Sequence, residues 1–256
     1  MSSGLRISVV IPVLDDADEL RECLRLLAAQ EVAPYEVVVV DNGSTDDSAT
    51  VAVAGGARVV PEPRRGIPRA SATGYDACAG DVLARLDADS RPHPDWTRRI
   101  GETLADDTVD AVTGIGLFHD LPWPLRVPVS ALYLGAYYLP TWAALGQAPF
   151  WGSSMAMRRE VWEQARDRVH LDDDVHDDMD LAFAVGPRPS APDGRGENDV
   201  VWARTVFNPW LRADVSSRSV TGTAQWRRRW ARGAETVRIG FADAPAWQRW
   251  QVRLGR

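Results

Sequence analysis

The stretch Gly80–Pro92, GDVLARLDADSRP, constrains this chain most. Val82, Leu83, Ala84 and Leu86 form an apolar run after a Gly-Asp turn, interrupted only by Arg85. Successive strand side chains point to opposite faces, so such a run needs cover on both. It reads as a buried strand of a parallel sheet. Ser90, Arg91, Pro92 and Pro94 stop the strand just after Asp87-Ala88-Asp89. The two carboxylates then sit at a strand's carboxyl end, where open α/β sheets bind ligands. Such oxygen donors suit Mg²⁺ or Mn²⁺, and Mg²⁺ commonly shares its shell between one or two carboxylates and substrate phosphates.

The preceding residues supply the rest of the sheet. ISVVIPV (Ile7–Val13) is an apolar, β-branched first strand, and Asp15 to Asp18 provide turn and N-cap chemistry after it. Leu20, Cys23, Leu24 and Leu27 recur at helical spacing, predicting a helix to about Gln30. Val37–Val40 is the second strand, with Asp41 at its carboxyl end, an Asn42-Gly43 turn, and Ser44 placed to cap a helix through Val53. Gly55-Gly56 ends that helix, and Arg58–Val60 is a short third strand. Successive strand–helix units predict a right-handed parallel sheet. Arg64, Arg65 and Arg69 cluster around Gly66 at the start of a helix ending near Ala79, and arginines beside a helix N-terminus make an anion site. A helix over Asp95–Leu104 and a strand over Ala111–Ile115 continue the alternation.

The pattern then changes. No charged residue occurs from Val127 to Met157. Val127–Gly146 is nearly long enough to cross a bilayer. However, Pro128 and Pro140 interrupt it, and one crossing would separate Asp87 and Asp89 from the acidic cluster near Asp178. The expectation is helices packed beside the site with an exposed apolar face. Phe150–Trp162 reads as a short strand or turn entering a helix at Arg158. Six Asp follow between Asp172 and Asp180, the later ones opening a helix whose dipole favours them. Pro187–Asp199 reads as a loop and Val200–Phe207 as a strand. From Thr223 the chain is basic and aromatic, with eight Arg against Glu235 and Asp243 between Gln225 and Arg256. That composition suits a membrane surface or a phosphate-rich ligand. The expected division is a nucleotide-binding half over 1–116, an acceptor-binding half of the same domain over 117–222, and a helical tail over 223–256.

Composition sets limits. A chain of 256 residues, 45% apolar and 25% charged, can fill one large α/β core. The net charge of -7 implies no general affinity for nucleic acid. Cys23 and Cys78 match no metal or redox spacing and read as packing residues of a reducing compartment. MSSGLRISVV lacks a signal peptide's apolar region. The expected location is therefore the cytoplasm, with peripheral contact at the inner face of the membrane.

Assembled in order, the pieces resemble an inverting glycosyltransferase of family 2. They are VVIPVLDD within Ile7–Asp16, VVVVDNGSTDDS (Val37–Ser48), LDADS (Leu86–Ser90), GSSMAMRREVW (Gly152–Trp162) and HDDMDL (His176–Leu181). The resemblance covers about residues 5 to 185. It implies an α/β fold of GT-A type, a Rossmann-like, mostly parallel sheet with helices on both faces. By the same resemblance Pro12, Asp15, Asp41, Arg69 and Asp87 would bind the nucleotide, and Asp89 with Asp87 would hold Mn²⁺ or Mg²⁺. Gly152, Ser153 and Asp177 would meet the acceptor or donor sugar, and Asp178 would deprotonate the acceptor. The implied partners are a nucleotide-sugar donor, uridine ahead of guanosine, and a hydroxyl acceptor that could be lipid-linked. A polyprenyl phosphate is the alternative acceptor. The chain departs from the family pattern in three places. Ala70, Ser71 and Ala72 stand where Ala-Arg-Asn is usual, leaving Arg69 as the substitute. Asp177-Asp178 replaces Glu-Asp. QWRRRW (Gln225–Trp230) is one residue too long for the Gln-x-x-Arg-Trp of processive members.

The chemistry is coherent on its own terms. Sugar transfer from a nucleotide diphosphate needs a cation on the leaving group, donors on the phosphates and, for a hydroxyl, a base opposite. Asp89, Arg69 and Asp178 are the candidates. A nucleotidyltransferase would carry a Gly-rich loop after the first strand, and a dinucleotide oxidoreductase G-x-G-x-x-G; VIPVLDDAD has neither. An inactive scaffold that only binds a sugar nucleotide would have no use for both Asp87/Asp89 and Asp178.

Overall fold

A computed structural model describes residues 4–172, 174–189, 202–220 and 223–255. Strands β1 (Ile7–Val13) and β2 (Glu36–Asp41) show why the sheet is covered on both sides. Val9, Ile11, Val13 and Val39 enter one core, while Val10, Val38 and Val40 enter another. The first core is closed by α1 (Ala17–Ala28), α2 (Ser48–Ala54) and α4 (Trp96–Thr103). The second is closed by α3 (Ile67–Ala77), α6 (Arg159–Ala165) and α7 (Asp177–Val185). Cys23 packs in the first core and Cys78 in the second, both as free thiols.

The remaining strands are β3 (Arg58–Pro61), β4 (Val82–Arg85), β5 (Arg91–Pro92), β6 (Ala111–Ile115), β7 (Met155–Arg158) and β8 (Thr205–Asp214). Their order is β3-β2-β1-β4-β7-β6-β8-β5. β1 to β4 are mutually parallel, and β8 is parallel to β6. β7 runs antiparallel between β4 and β6, and β5 is antiparallel to β8. The sheet is therefore mostly parallel, and the carboxyl ends of β1, β2 and β4 open along one edge.

Two expectations are corrected. Residues 127–146 do not form several helices. One helix, α5 (Trp123–Leu145), runs through both Pro128 and Pro140. Each proline removes a backbone donor, but tertiary contacts hold the helix. Tyr138 Oη donates to Gly114 O at 2.6 Å, Tyr137 Oη to Phe150 O at 2.5 Å, and Phe118 N to Ser130 Oγ at 2.9 Å. The outer side of α5 is apolar and exposed, as expected. Among the described residues no helix is long and apolar enough to cross a membrane. The last strand begins at Thr205 and continues well past Phe207. Asn208-Pro209 reads as a stop, but it sits in a bulge where the pairing jumps from Thr113↔Phe207 to Ile115↔Arg212. Val200 and Val201, like most of the Pro187–Asp199 loop, lie outside the described residues.

The tail forms α8 (Thr223–Asp243) and α9 (Ala246–Arg253). Arg249 fastens them to the domain from a fully buried position. Its guanidinium donates to Ala244 O at 2.9 Å, Gly240 O at 3.0 Å, Pro187 O at 3.1 Å and Phe183 O at 3.3 Å. It also lies 5.0 Å from the centroid of the Phe183 ring. Arg249→Met keeps the stem and strands these carbonyls, and a buried unsatisfied group costs about 1–3 kcal/mol. We expect the variant to lose at least about 2 kcal/mol of unfolding free energy in a urea titration. An unchanged midpoint would show that the tail is not fastened there.

Candidate active site

A cleft of about 750 Å³ lies against the carboxyl edge of the sheet. One wall is built by Pro12, Val13, Asn42, Arg65 and Gly66. Asn42 organises it. Its Nδ2 donates to Glu62 O at 2.9 Å and Arg64 O at 2.8 Å, and its Oδ1 accepts from Gly66 N at 2.8 Å. These bonds set Arg65 and Gly66 at the N-terminus of α3, facing the cleft. Asp15, with φ 52°, spends its carboxylate on Thr45 N at 2.6 Å, Thr45 Oγ1 and Asp46 N. The Thr45 N–H above all holds its carboxyl below the ordinary range. Asp41 Oδ1 accepts from Ser44 N at 2.9 Å. The Ser44 hydroxyl accepts from Asp15 N and does not cap α2, which starts four residues later. Arg69 is 3.5 Å from Asp172. Asp15, Asp41 and Arg69 are thus not among the residues lining the cleft, whereas Pro12 is.

The floor is Arg85, Asp87, Ala88 and Asp89. Arg85 is buried and donates through Nη1 to Asp177 and through Nη2 to Asp87 Oδ1 at 3.1 Å. Burial opposes its charge, yet Asp177 and Asp87 outweigh that and raise its pKa. Gly152 makes room for it, because a Cβ there would meet Arg85 Cζ at 2.8 Å. The neighbouring Ser153 Oγ donates to Asp87 Oδ2 at 2.5 Å. Asp89 has less support. Arg218 is 3.9 Å away, and burial, with Asp87 beside it, pushes the Asp89 carboxyl up to about 7. A half-buried acid next to a second acid is the donor set that a divalent cation relieves, and its oxygens suit Mn²⁺ or Mg²⁺.

The far wall comes from α5, α7 and α8, through Tyr133, Tyr137, His176, Asp178, Arg229 and Arg232. Asp178 Oδ2 accepts from Gly152 N at 2.7 Å, and its Oδ1 is 2.5 Å from His176 Nδ1. That contact is an ion pair without hydrogen-bond alignment. Burial raises the Asp178 pKa, but His176, Arg85 and the Gly152 N–H outweigh it and hold the carboxyl well below the usual range. Burial lowers His176, and Asp178 more than compensates, so its pKa is raised. His176, Asp177 and Asp178 present ligand atoms within 4.8 Å of one another. Arg85 and the ion pair already offset those charges, so Asp87/Asp89 remains the better cation site. Asp180 faces away, accepting from His170 N at 2.6 Å.

The structure therefore gathers Pro12, Asp87, Asp89, Gly152, Ser153, Asp177 and Asp178 into one cleft. Sequence reasoning missed the organising role of Asn42, the pairing of Arg85, and the presence of His176, Tyr133, Tyr137, Arg229 and Arg232. One signal was available: a lone charge in a buried strand must be paired.

Residues 8–165 match the family model described as Glycosyl transferase family 2. The glycosyltransferase AglE of Haloferax volcanii is 34% identical over 116 residues, 42% of this chain and 38% of the relative. An undecaprenyl-phosphate 4-deoxy-4-formamido-L-arabinose transferase of Sodalis glossinidius is 36% identical over 112 residues, 40% of this chain and 34% of the relative. The matched segments thus span little more than a third of these relatives' own length. Among solved structures, a mannosyltransferase of Pyrobaculum calidifontis in complex with GDP-Man and Mn²⁺ superposes with a TM-score of 0.68 at 21% identity. That alignment covers 98% of this chain and 70% of the other. Glucosyl-3-phosphoglycerate synthase of Mycobacterium tuberculosis with UDP gives 0.63 at 20%, covering 94% and 81%. The fold is of GT-A type.

Arg85→Met removes the cation that Asp87 and Asp177 share. Breaking a buried pair by deleting one partner costs about 3–5 kcal/mol. Chemical denaturation of the variant at neutral pH should show a loss in that range. A loss below about 1 kcal/mol would mean that water already screens the pair.

Proposed function

The chain belongs to glycosyl transferase family 2, and on that premise we propose that it moves a sugar from a nucleotide-diphosphate sugar to an acceptor by a single in-line displacement. One observation carries this reading: Asp87/Asp89 and Asp178 face one cleft, tied together through Arg85, Gly152 and Ser153. The donor's nucleoside would lie along Pro12 and Val13. Its diphosphate would meet Arg65 and the backbone at Gly66, where α3 presents its N-terminus. Asp89 with Asp87 would hold Mn²⁺ or Mg²⁺, which when bound supplies the positive charge that offsets the leaving diphosphate. The Mn²⁺ and GDP-Man of the mannosyltransferase and the UDP of the synthase support this donor class. A UDP-sugar is the first donor to test and a GDP-sugar the second. Inversion follows from one displacement, with Asp178 opposite the leaving group.

Asp178 suits two acceptors differently. For a hydroxyl it would take the proton as the bond forms. The His176 ion pair keeps it ionised but makes it a weak proton acceptor. That observation favours a second reading, in which the acceptor is a phosphate, already ionised and in no need of a base. The undecaprenyl-phosphate transferase among the relatives supports it. His176 and Arg229 would then balance the incoming charge.

Asp89→Ala tests the donor site. A UDP-sugar with Mn²⁺ at a hundred times its dissociation constant should stabilise the native protein by about 2.7 kcal/mol. In the variant the Mn²⁺-dependent part of that thermal shift should vanish while the unliganded melting temperature holds. An intact shift would remove Asp89 from the cation site. Asp178→Asn separates the acceptors. With a hydroxyl acceptor, turnover should fall by about 10²–10⁴-fold with donor binding unchanged. Near-normal turnover would favour the phosphate, and donor binding lost together with turnover would assign Asp178 to the sugar.

A further inference from the structure

α5 carries an apolar stripe that points away from the domain. Leu125, Leu132 and Leu139 recur every seven residues and so share one helix face. All three are exposed, Leu132 at 74% and Leu139 at 72%. Trp142, three residues after Leu139, extends the stripe toward the carboxyl end of the helix and is exposed. Arg126 is the only charged residue in α5. Twenty-three residues at 1.5 Å each make the helix about 34 Å long.

The neighbouring helices are cationic. Arg229 of α8 lies 5.7 Å from the ring centroid of Tyr133 in α5, and Trp250 of α9 donates to Ala143 O at 2.9 Å. Arg249 is buried and Arg229 and Arg232 face the cleft, but Arg227, Arg238 and Arg253 are exposed on these two helices, in a chain whose net charge is -7. Trp230 and Trp247 are exposed on them. An acidic protein thus has one sector that is apolar along a helix and bordered by arginine and tryptophan. A second copy of the chain docked on this face about a two-fold axis would bring like charges together. An anionic bilayer surface meets both properties, because apolar side chains enter the headgroup boundary while arginines meet lipid charge.

We propose that α5 docks this stripe into the headgroup layer of an anionic bilayer, with α8 and α9 contacting the lipid phosphates. The helix lies on the surface and does not cross it. Tyr133 and Tyr137 project from the same helix into the cleft, so docking holds the acceptor side of the cleft at the membrane. The proposal goes beyond the transfer reaction, and its test reads vesicle binding without turnover.

Vesicles of phosphatidylglycerol and phosphatidylcholine, and of phosphatidylcholine alone, are the probes. The protein should co-sediment with the mixed vesicles at low salt, and the bound fraction should fall as salt rises. Leu132→Asp with Leu139→Asp should weaken that binding at least about tenfold. Both positions are exposed, so the melting temperature and the donor-induced thermal shift should not change. Leu132→Ser with Leu139→Ser serves as the milder pair if the first fails to fold. Three results would each overturn the proposal: no co-sedimentation of the unmodified protein, equal binding by the folded double variant, or a dimer in light scattering that the double variant converts to monomer.

Discussion

The active cleft depends on one buried cation. Arg85 sits in the central strand β4, where a charge without partners would be untenable. It is held by Asp87 at the end of its own strand and by Asp177 at the start of α7, ninety-two residues away. Those two contacts fix the distance between the wall that would meet a leaving diphosphate and the wall that would meet an acceptor. Gly152 belongs to the same arrangement, since any side chain there would displace the guanidinium. Such a pair is weak evidence for stability, because its desolvation cost rivals its attraction. Its value here is positional: it brings carboxylates that would otherwise repel into one cleft.

Around that cation, identical side chains acquire opposite properties. Asp89 is half-buried beside Asp87, with the Arg218 guanidinium 3.9 Å away, and its carboxyl is pushed up to about 7. Asp178 is buried more deeply, but His176, Arg85 and the Gly152 N–H hold it ionised. Asp15 and Asp41, in sequence motifs just as conspicuous, are bound to the loop between β2 and α2. Four aspartates therefore divide between a candidate cation site, an ionised wall and a turn according to what each touches.

Much of this was legible in the sequence. β1 and β6 have the bounds that their apolar runs give, since a run covered on both faces admits few other conformations. The strand ends of β1, β2 and β4 also located the cleft. Local rules failed where distant contacts outweighed them. Pro128 and Pro140 suggest breaks, but hydrogen bonds from Tyr137 and Tyr138 hold α5 straight through them. The strand expected to end at Phe207 runs on through Asn208-Pro209, because β8 bulges there and resumes pairing with β6 at Arg212. Ser44 has a capping residue's chemistry, yet Asp15 claims its hydroxyl. The far wall was the least legible part, because Arg229 and Arg232 reach the cleft from α8, 44 and 47 residues beyond Val185 at the end of α7, and resemble a solvated face until the fold places them.

The anchoring of α9 has a bearing on the order in which the molecule matures. A chain leaves the ribosome amino end first, and its parts consolidate as they emerge. β1 to β4, with their helices, hold the wall of Pro12, Asn42 and Gly66 and can assemble early. α7 emerges later, and although Arg168 already precedes it to bond Ala184 O, the donor to Phe183 O is Arg249, sixty-six residues further along. The acidic wall of the cleft is therefore completed only after almost the whole domain has been made. A nascent chain would complete one wall of the cleft well before the wall that faces it.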